Sequence, residues 1–264
     1  MIMKDAFTGK TALVTGSGRG IGRAIAVHFA SLGTNVVVNF FRNRGPAEDT
    51  VEAVEAHGVR AHLVKANVGE ISDLDKLIAE TEKEFGGLDF LINNAGSGYN
   101  RPINDQRPKG WDWTMDINAR PVLFLAQKAL PLMQDRGGGA IVSISSPGSF
   151  RVLPEYAVVG ASKAALEALT RYLAVEFAPH DIVVNAVSPG IVNTEALQHF
   201  DAMSEEDLLD EIAQETPAGR IITPEEVAGI VAFLCSPEAD MIRGQVILAD
   251  GGFTLPASGL TRPS

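Results

Sequence analysis

The sequence predicts a single α/β domain built as a doubly wound parallel sheet of about seven strands flanked by helices. Three observations predict it. Seven short runs rich in β-branched apolar residues recur without the polar alternation of a half-exposed strand. Longer helix-patterned segments separate them, which is the rhythm of parallel strands joined by helical crossovers. No linker, repeat or low-complexity tract breaks the pattern over residues 1–264, a length that one α/β domain reaches.

The elements follow in order. A strand over 11–15 leads into a helix over 21–32. A strand over 35–39 precedes a helix over 46–57, and a strand over 60–65 precedes one over 71–85. The fourth strand, 88–93, is followed by a long helical segment over 111–133. The fifth, 140–145, precedes an alanine-rich helix over 157–177, and the last two strands cover 182–187 and 245–248. Between those two, residues 191–220 are the least sheet-like stretch. They hold an expected helix over 204–215, begun by Ser204 with Asp207 three residues on. The stretch follows a strand, so it belongs over the carboxyl ends of the sheet, where ligands bind. It is expected to be a substrate lid within the single domain, with Leu197 as a substrate contact.

Composition narrows the function. Apolar residues make up 45% and charged residues 21%, a globular rather than disordered balance. The net charge of −11 argues against a nucleic-acid or anionic-membrane binder, whose affinity rests on Lys and Arg. Cys235 is the one cysteine, so neither an intrachain disulfide nor a cysteine-based metal cluster is expected. His28, His57, His62, His180 and His199 are scattered without metal-ligand spacing. No apolar stretch at the N-terminus reads as a signal peptide and no run approaches transmembrane length, so a soluble cytoplasmic protein is the expectation.

Gly16-Ser17-Gly18-Arg19-Gly20-Ile21-Gly22 joins the first strand to the first helix. Glycine lets backbone approach a pyrophosphate, and the helix N-terminus offers N–H groups and a positive dipole end. The spacing Gly16, Gly20, Gly22 is wider than the common dinucleotide fingerprint. It resembles the glycine turn of the short-chain dehydrogenase/reductase family, a Rossmann-type fold. Asn93-Asn94-Ala95-Gly96, Asn118, Ser188-Pro189-Gly190 and Asp250-Gly251-Gly252 resemble that family's later motifs in order. The resemblance covers nearly the whole chain and implies a nicotinamide cofactor held by Gly16, Ser17, Arg19, Gly20, Ile21, Gly22, Asn94, Ala95, Gly96, Pro189, Gly190 and Ile191. Asn67-Val68 stands where the family has Asp-Val beside the adenine. An acid about 20 residues after the first glycine would bind the ribose hydroxyl of NAD. The stretch Val38-Asn39-Phe40-Phe41-Arg42 has none, while Arg19 and Arg42 suit a 2′-phosphate, so NADPH is expected.

The family's motif is Tyr-x-x-x-Lys. Lys163 fits the lysine, but the position four before it is Val159, which donates no proton. Tyr156 lies seven before Lys163; at about 100° per residue, offsets of four and seven return to nearly one helix face. The acid is thus moved one turn. In carbonyl reduction, hydride lands on the carbon bonded to the oxygen that takes the proton. In conjugate reduction of an enoyl thioester, hydride lands on C3 while charge collects on the oxygen bonded to C1, so a more distant acid suits it. Tyr-x6-Lys, with Trp111-Asp112-Trp113, Asn67-Val68-Gly69 and the run from Ala168 to Glu176, is similar to the bacterial type III enoyl-acyl-carrier-protein reductases.

That resemblance implies NADPH-dependent enoyl reduction, an acyl thioester on acyl carrier protein or coenzyme A, a fatty-acid or polyketide-type chain, and a homotetramer in which helix 157–177 packs on its copy. Tyr156 would stabilise the enolate, and Lys163 would hold the nicotinamide ribose and supply positive charge. Asn118 would orient Lys163 through water, with Ser145 or Ser146 assisting less. Tyr99 could line the pocket, and Arg101, Arg107 and Lys109 could steer an acidic carrier. Two other readings stand beside this one: a carbonyl or 3-oxoacyl reductase, and a non-catalytic dinucleotide-binding scaffold or sensor.

Overall fold

Apolar residues on successive strand positions must be covered on both faces of a sheet, and the fold does this with two helical layers. The computed structural model describes residues 2–194 and 206–256. The strands are β1 (Thr11–Val14), β2 (Asn35–Phe40), β3 (Ala61–Lys65), β4 (Phe90–Asn93), β5 (Gly139–Ile144), β6 (Ile182–Pro189) and β7 (Val246–Ala249). They form one sheet in the order β3-β2-β1-β4-β5-β6-β7, every pair parallel. The helices are α1 (Ile2–Phe7), α2 (Gly20–Ser31), α3 (Arg44–Glu55), α4 (Ile71–Phe85), α5 (Pro108–Asn118), α6 (Arg120–Asp135), α7 (Ala157–Glu176), α8 (Glu206–Glu215) and α9 (Pro224–Leu234).

Alternate strand residues serve different layers. Ala12, Val14, Val36 and Val38 pack with Ile25 and Phe29 of α2 and Val227 and Val231 of α9. Leu13 and Val37 point the other way, into Leu74 and Leu77 of α4, Leu125 and Met133 of α6 and Leu166 and Leu173 of α7. Both faces are dry, which is why the strands read as continuous apolar runs. The chain reverses its strand order at β1, which pairs with β2 on one side and β4 on the other. A crevice outside the carboxyl ends of β1 and β4 follows from that topology, and ligands bind there in such sheets.

Helix α1, helix α9 and the segment 111–133 differ from the sequence expectation. The segment 111–133 is two helices, because α5 ends at Asn118 and α6 restarts at Arg120 with Pro121 in its first turn. Proline is tolerated there, since the first N–H groups of a helix have no intrahelical partner. Helix α9 was legible but not read. Thr223 and Glu226 form its capping box, with the Glu226 N–H donating to Thr223 Oγ1 at 3.2 Å and the Thr223 N–H donating to Glu226 Oε2 at 3.0 Å. In the expected lid, α8 is described from Glu206 onward; Leu197, His199 and the expected start at Ser204 lie outside the described residues. Among the described residues no helix is long and apolar enough to cross a membrane.

Candidate active site

The turn after β1 is fixed by its neighbours. Asn39, near the end of β2, is 2% exposed and accepts the Gly16 N–H on Oδ1 at 3.0 Å. Its Nδ2 donates to the Ala66 carbonyl at 3.1 Å, so one side chain ties the glycine turn to β2 and to the end of β3. Ser17 donates to the Val14 carbonyl at 2.8 Å and accepts the Asn39 N–H at 3.0 Å. From the β4 side, Thr15 Oγ1 accepts the N–H groups of Asn94 and Ala95, both at 3.0 Å, and Asn94 Nδ2 donates to the Thr15 carbonyl at 2.9 Å. Gly22 has no room for a side chain: a Cβ there would run into Asn94 Nδ2 and the Gly16 carbonyl. The backbone is thereby held open in front of α2.

A cleft of about 700 Å³ runs from this turn to the start of α7. Gly16, Arg19, Gly20, Ile21, Gly22, Arg42, Asn67, Val68, Asn94, Ala95 and Gly96 line it, as do Asn118, Tyr156 and Lys163. At one end the Arg42 guanidinium sits 5.8 Å from the Phe41 ring centre and 5.6 Å from that of Trp113. Two features fit a nicotinamide dinucleotide. The cradle of Gly16 and Gly22 admits no side chain, and the cleft joins a cation at Arg42 to a buried cation at Lys163.

Lys163, 8% exposed, donates from Nζ to the Ile144 carbonyl at 2.7 Å. Burial lowers its ammonium from 10.5 to about 8, against a smaller upward pull from the Glu167 carboxylate. Tyr156 precedes the first helical residue of α7, and its carbonyl accepts the Gly160 N–H at 2.8 Å, so helical bonding begins with it. Its phenol donates to Ser146 Oγ at 3.4 Å. Burial pushes that phenol above its ordinary value, with the Ser146 hydrogen bond opposing. Val159 also lines the cleft and abuts Gly98, where a Cβ would collide with it. Glu155 adopts a left-handed conformation (φ 59°), and its carbonyl accepts the Arg101 N–H at 2.9 Å, which fastens the loop after β4 beside Tyr156.

Other expected residues are placed differently. Asn118 has Ser97 and Ser162 as its direct polar partners. It accepts the Ser97 N–H at 2.8 Å and donates to the Ser97 carbonyl and to Ser162 Oγ, both at 2.9 Å, which pins the 94–98 loop to α5 and α7. Ser145 is turned out of the cleft and donates to Glu167 Oε1 at 2.6 Å. Ser146 reaches the site only through Tyr156. Tyr99 is not among the cleft-lining residues; its hydroxyl fills the space beside Gly110 on α5, and Arg101 stacks on its ring at 4.8 Å. Ser17 serves the turn itself, and Pro189 is a β6 residue paired with Ala249. Neither these two nor Gly190 and Ile191 line the cleft, whereas Thr194 does. Asn39, Trp113 and Glu167 escaped the sequence reading. Asn39 had a visible signal, a lone amide inside an apolar β-branched run.

Comparison with known proteins adds to this geometry. Residues 16–254 match the model of a family described as Enoyl-(Acyl carrier protein) reductase. The chain is similar to 1-cyclohexenylcarbonyl-CoA reductase of Streptomyces collinus, with 38% identity over 94% of this chain and 88% of that protein. It is also similar to hydroxynaphthalene reductase-like protein Arp2 of Metarhizium robertsii, with 35% identity over 94% and 96%. Among solved structures, L-sorbose reductase from Gluconobacter frateurii, complexed with NADPH and L-sorbose, superposes with a TM-score of 0.89 at 30% identity, covering 97% of this chain and 100% of that one.

Proposed function

This chain belongs to the short-chain dehydrogenase/reductase superfamily and is an oxidoreductase of that kind, and from that premise we propose that it reduces the C2=C3 double bond of a trans-2-enoyl thioester with NADPH. One observation carries the reading. Tyr156 and Lys163 line a single cleft, while the position four before Lys163 is filled by Val159 packed on Gly98. The proton-side group therefore stands one turn back from where carbonyl-reducing relatives carry it. That distance suits a substrate whose charge collects on an oxygen two carbons from the hydride acceptor.

NADPH, when bound, supplies the hydride that C3 receives. The raised phenol of Tyr156 stays protonated at neutral pH and donates to the thioester oxygen as charge develops there. Lys163, held on the Ile144 carbonyl, brings positive charge to the same end of the cleft and stabilises that charge further. Arg42, braced by Phe41 and Trp113, is the group for a 2′-phosphate, and among the described residues lining the cleft no carboxylate stands to receive a ribose hydroxyl. The similarity to a coenzyme A thioester reductase supports a thioester substrate, on coenzyme A or on a carrier protein. Residues 191–220 act as the lid; Val192 at its start pairs with Ile222 just beyond its end, and Thr194 reaches the cleft. The deciding experiment is NADPH consumption with crotonyl and acetoacetyl thioesters, with product masses measured. A saturated acyl thioester as product is expected. Reduction of acetoacetyl thioester alone would give the protein to the carbonyl reductases, a reading that the contact of Tyr156 with Ser146 favours.

A further inference from the structure

We propose that Glu167 is a positioning residue for Tyr156 and Lys163 together, a carboxylate that clamps both ends of the turn on which these two side chains rest. The inference rests on the reading that Tyr156 and Lys163 are the working pair. Glu167 lies one turn after Lys163 on α7, half-buried beneath the end of β5. Two hydroxyls converge on its Oε1, from Ser145 and from Ser149, each at 2.6 Å. Such lengths mark hydroxyls donating to an ionised carboxylate, roughly twice as strong as neutral hydrogen bonds.

The stretch between those serines carries the supports of the site. Ile144, just before Ser145, offers the carbonyl that receives Lys163 Nζ. Ser146 accepts the Tyr156 phenol. Gly148 lies under the Tyr156 ring, where a Cβ would come within 2.5 Å of Cδ1 and Cε1. Its N–H in turn donates to Ser146 Oγ at 3.2 Å. Serines that merely capped backbone would find separate carbonyls; here both leave the backbone for one oxygen. The same charge also favours the ammonium form of Lys163, its neighbour on the helix face.

The test is a double-mutant cycle with two independent readouts. Glu167→Ala is expected to lower kcat about tenfold in the native background and to change the residual rate less than about twofold in Tyr156→Phe, because the two act as a unit. Glu167→Gln, whose amide oxygen accepts the same two hydroxyls, is expected to keep kcat within about threefold. Without any substrate, ultraviolet titration of the Tyr156 phenol, taken against Tyr156→Phe, should move toward that of a free phenol in Glu167→Ala. Lys163, the titratable group that Glu167 acts on along α7, is present in every variant compared. If Glu167→Ala does not fold, Ser149→Ala removes one donor and is expected to shift the same titration in the same direction. An equal loss in both backgrounds, or an unmoved phenol in a folded variant, would overturn the clamp. Failure to turn over any enoyl thioester would overturn the proposed reaction instead and leave the titration to decide the clamp.

Discussion

Two hydroxyls of the same kind, on Tyr156 and Tyr99, are separated in place by where their backbones put them. Tyr156 stands at the start of α7 and lines the cleft with Lys163, while the Tyr99 hydroxyl lies against Gly110. Tyr156→Phe removes one donor to developing oxyanion charge and is expected to lower enoyl thioester turnover about 10²–10³-fold. NADPH affinity should stay near native, as read by fluorescence titration, and Tyr99→Phe should keep most of the turnover. The opposite ranking would move the proton-side role to Tyr99. Lys163 yields a second expectation, in stability. Its ammonium titrates near 8 when folded and at 10.5 in the unfolded chain. Below pH 8 both states are protonated and the folded one carries the full burial penalty, roughly 3 kcal/mol by the shift. Between the two values the unfolded chain binds more protons, so stability rises with pH. Lys163→Met forfeits a hydrogen bond of about 1 kcal/mol. It should therefore stabilise the cofactor-free protein by about 2 kcal/mol at neutral pH, and the gain should shrink toward pH 10. Urea denaturation at the two pH values checks this, and a gain that does not fall with pH would contradict it.

At the scale of elements, the ends of the expected lid are anchored unequally. The outgoing end passes the glycine turn, where a Cβ at Gly20 would come into van der Waals range of Thr194. The bridge Val192–Ile222 ties both ends, and the returning end is fixed further by the Ala218 N–H donating to the Gly251 carbonyl at 3.1 Å and by the Arg220–Glu226 pair at 2.6 Å. Amide exchange over 206–215 should slow when NADPH and an acyl thioester are both present, while exchange at 222–234 stays as it was. Unchanged exchange in a saturated complex would remove the lid assignment. The elements also divide by how legible they were. All seven strands could be read because each is a short apolar run, fully buried in β1 and β4, and the cofactor turn because glycine spacing is local. The split at Ala119 depended on a proline whose place in a first turn looks like a break only in context. The true partners of Asn118 and Ser145 lie 21–44 residues away, and Tyr99 meets Gly110 on α5, so no local pattern carries them.

For the whole molecule, an uncovered apolar face is the feature that composition could not announce. Leu123 of α6 and Tyr172 and Val175 of α7 are exposed, and Tyr172 is 69% accessible. With Met115, Ala119, Ala165, Ala168 and Leu169 the first two line a shallow groove on the side of the α5–α7 layer away from the sheet. Small residues there let two helices approach closely, and we propose a second copy of the chain as the occupant. Ala168→Glu puts a charge into that contact without touching the cleft. The variant should elute as a smaller species in light-scattering chromatography while keeping its far-ultraviolet spectrum, and an unchanged mass would exclude this face as the interface.

The seating of Val159 on Gly98 has a consequence for descent. A lineage exchanging one chemistry for the other must relocate its acid by one helical turn. Adding a tyrosine at 159 first drives an aromatic ring into the 96–98 backbone, the loop that Asn118 holds by two hydrogen bonds to Ser97. Such overfilling costs about 1–3 kcal/mol. On the proposed reading, losing Tyr156 first leaves a generation with no acid at all. One order of single steps is strained and the other inactive on that reading, so the crossing is easiest when the loop and the helix change together.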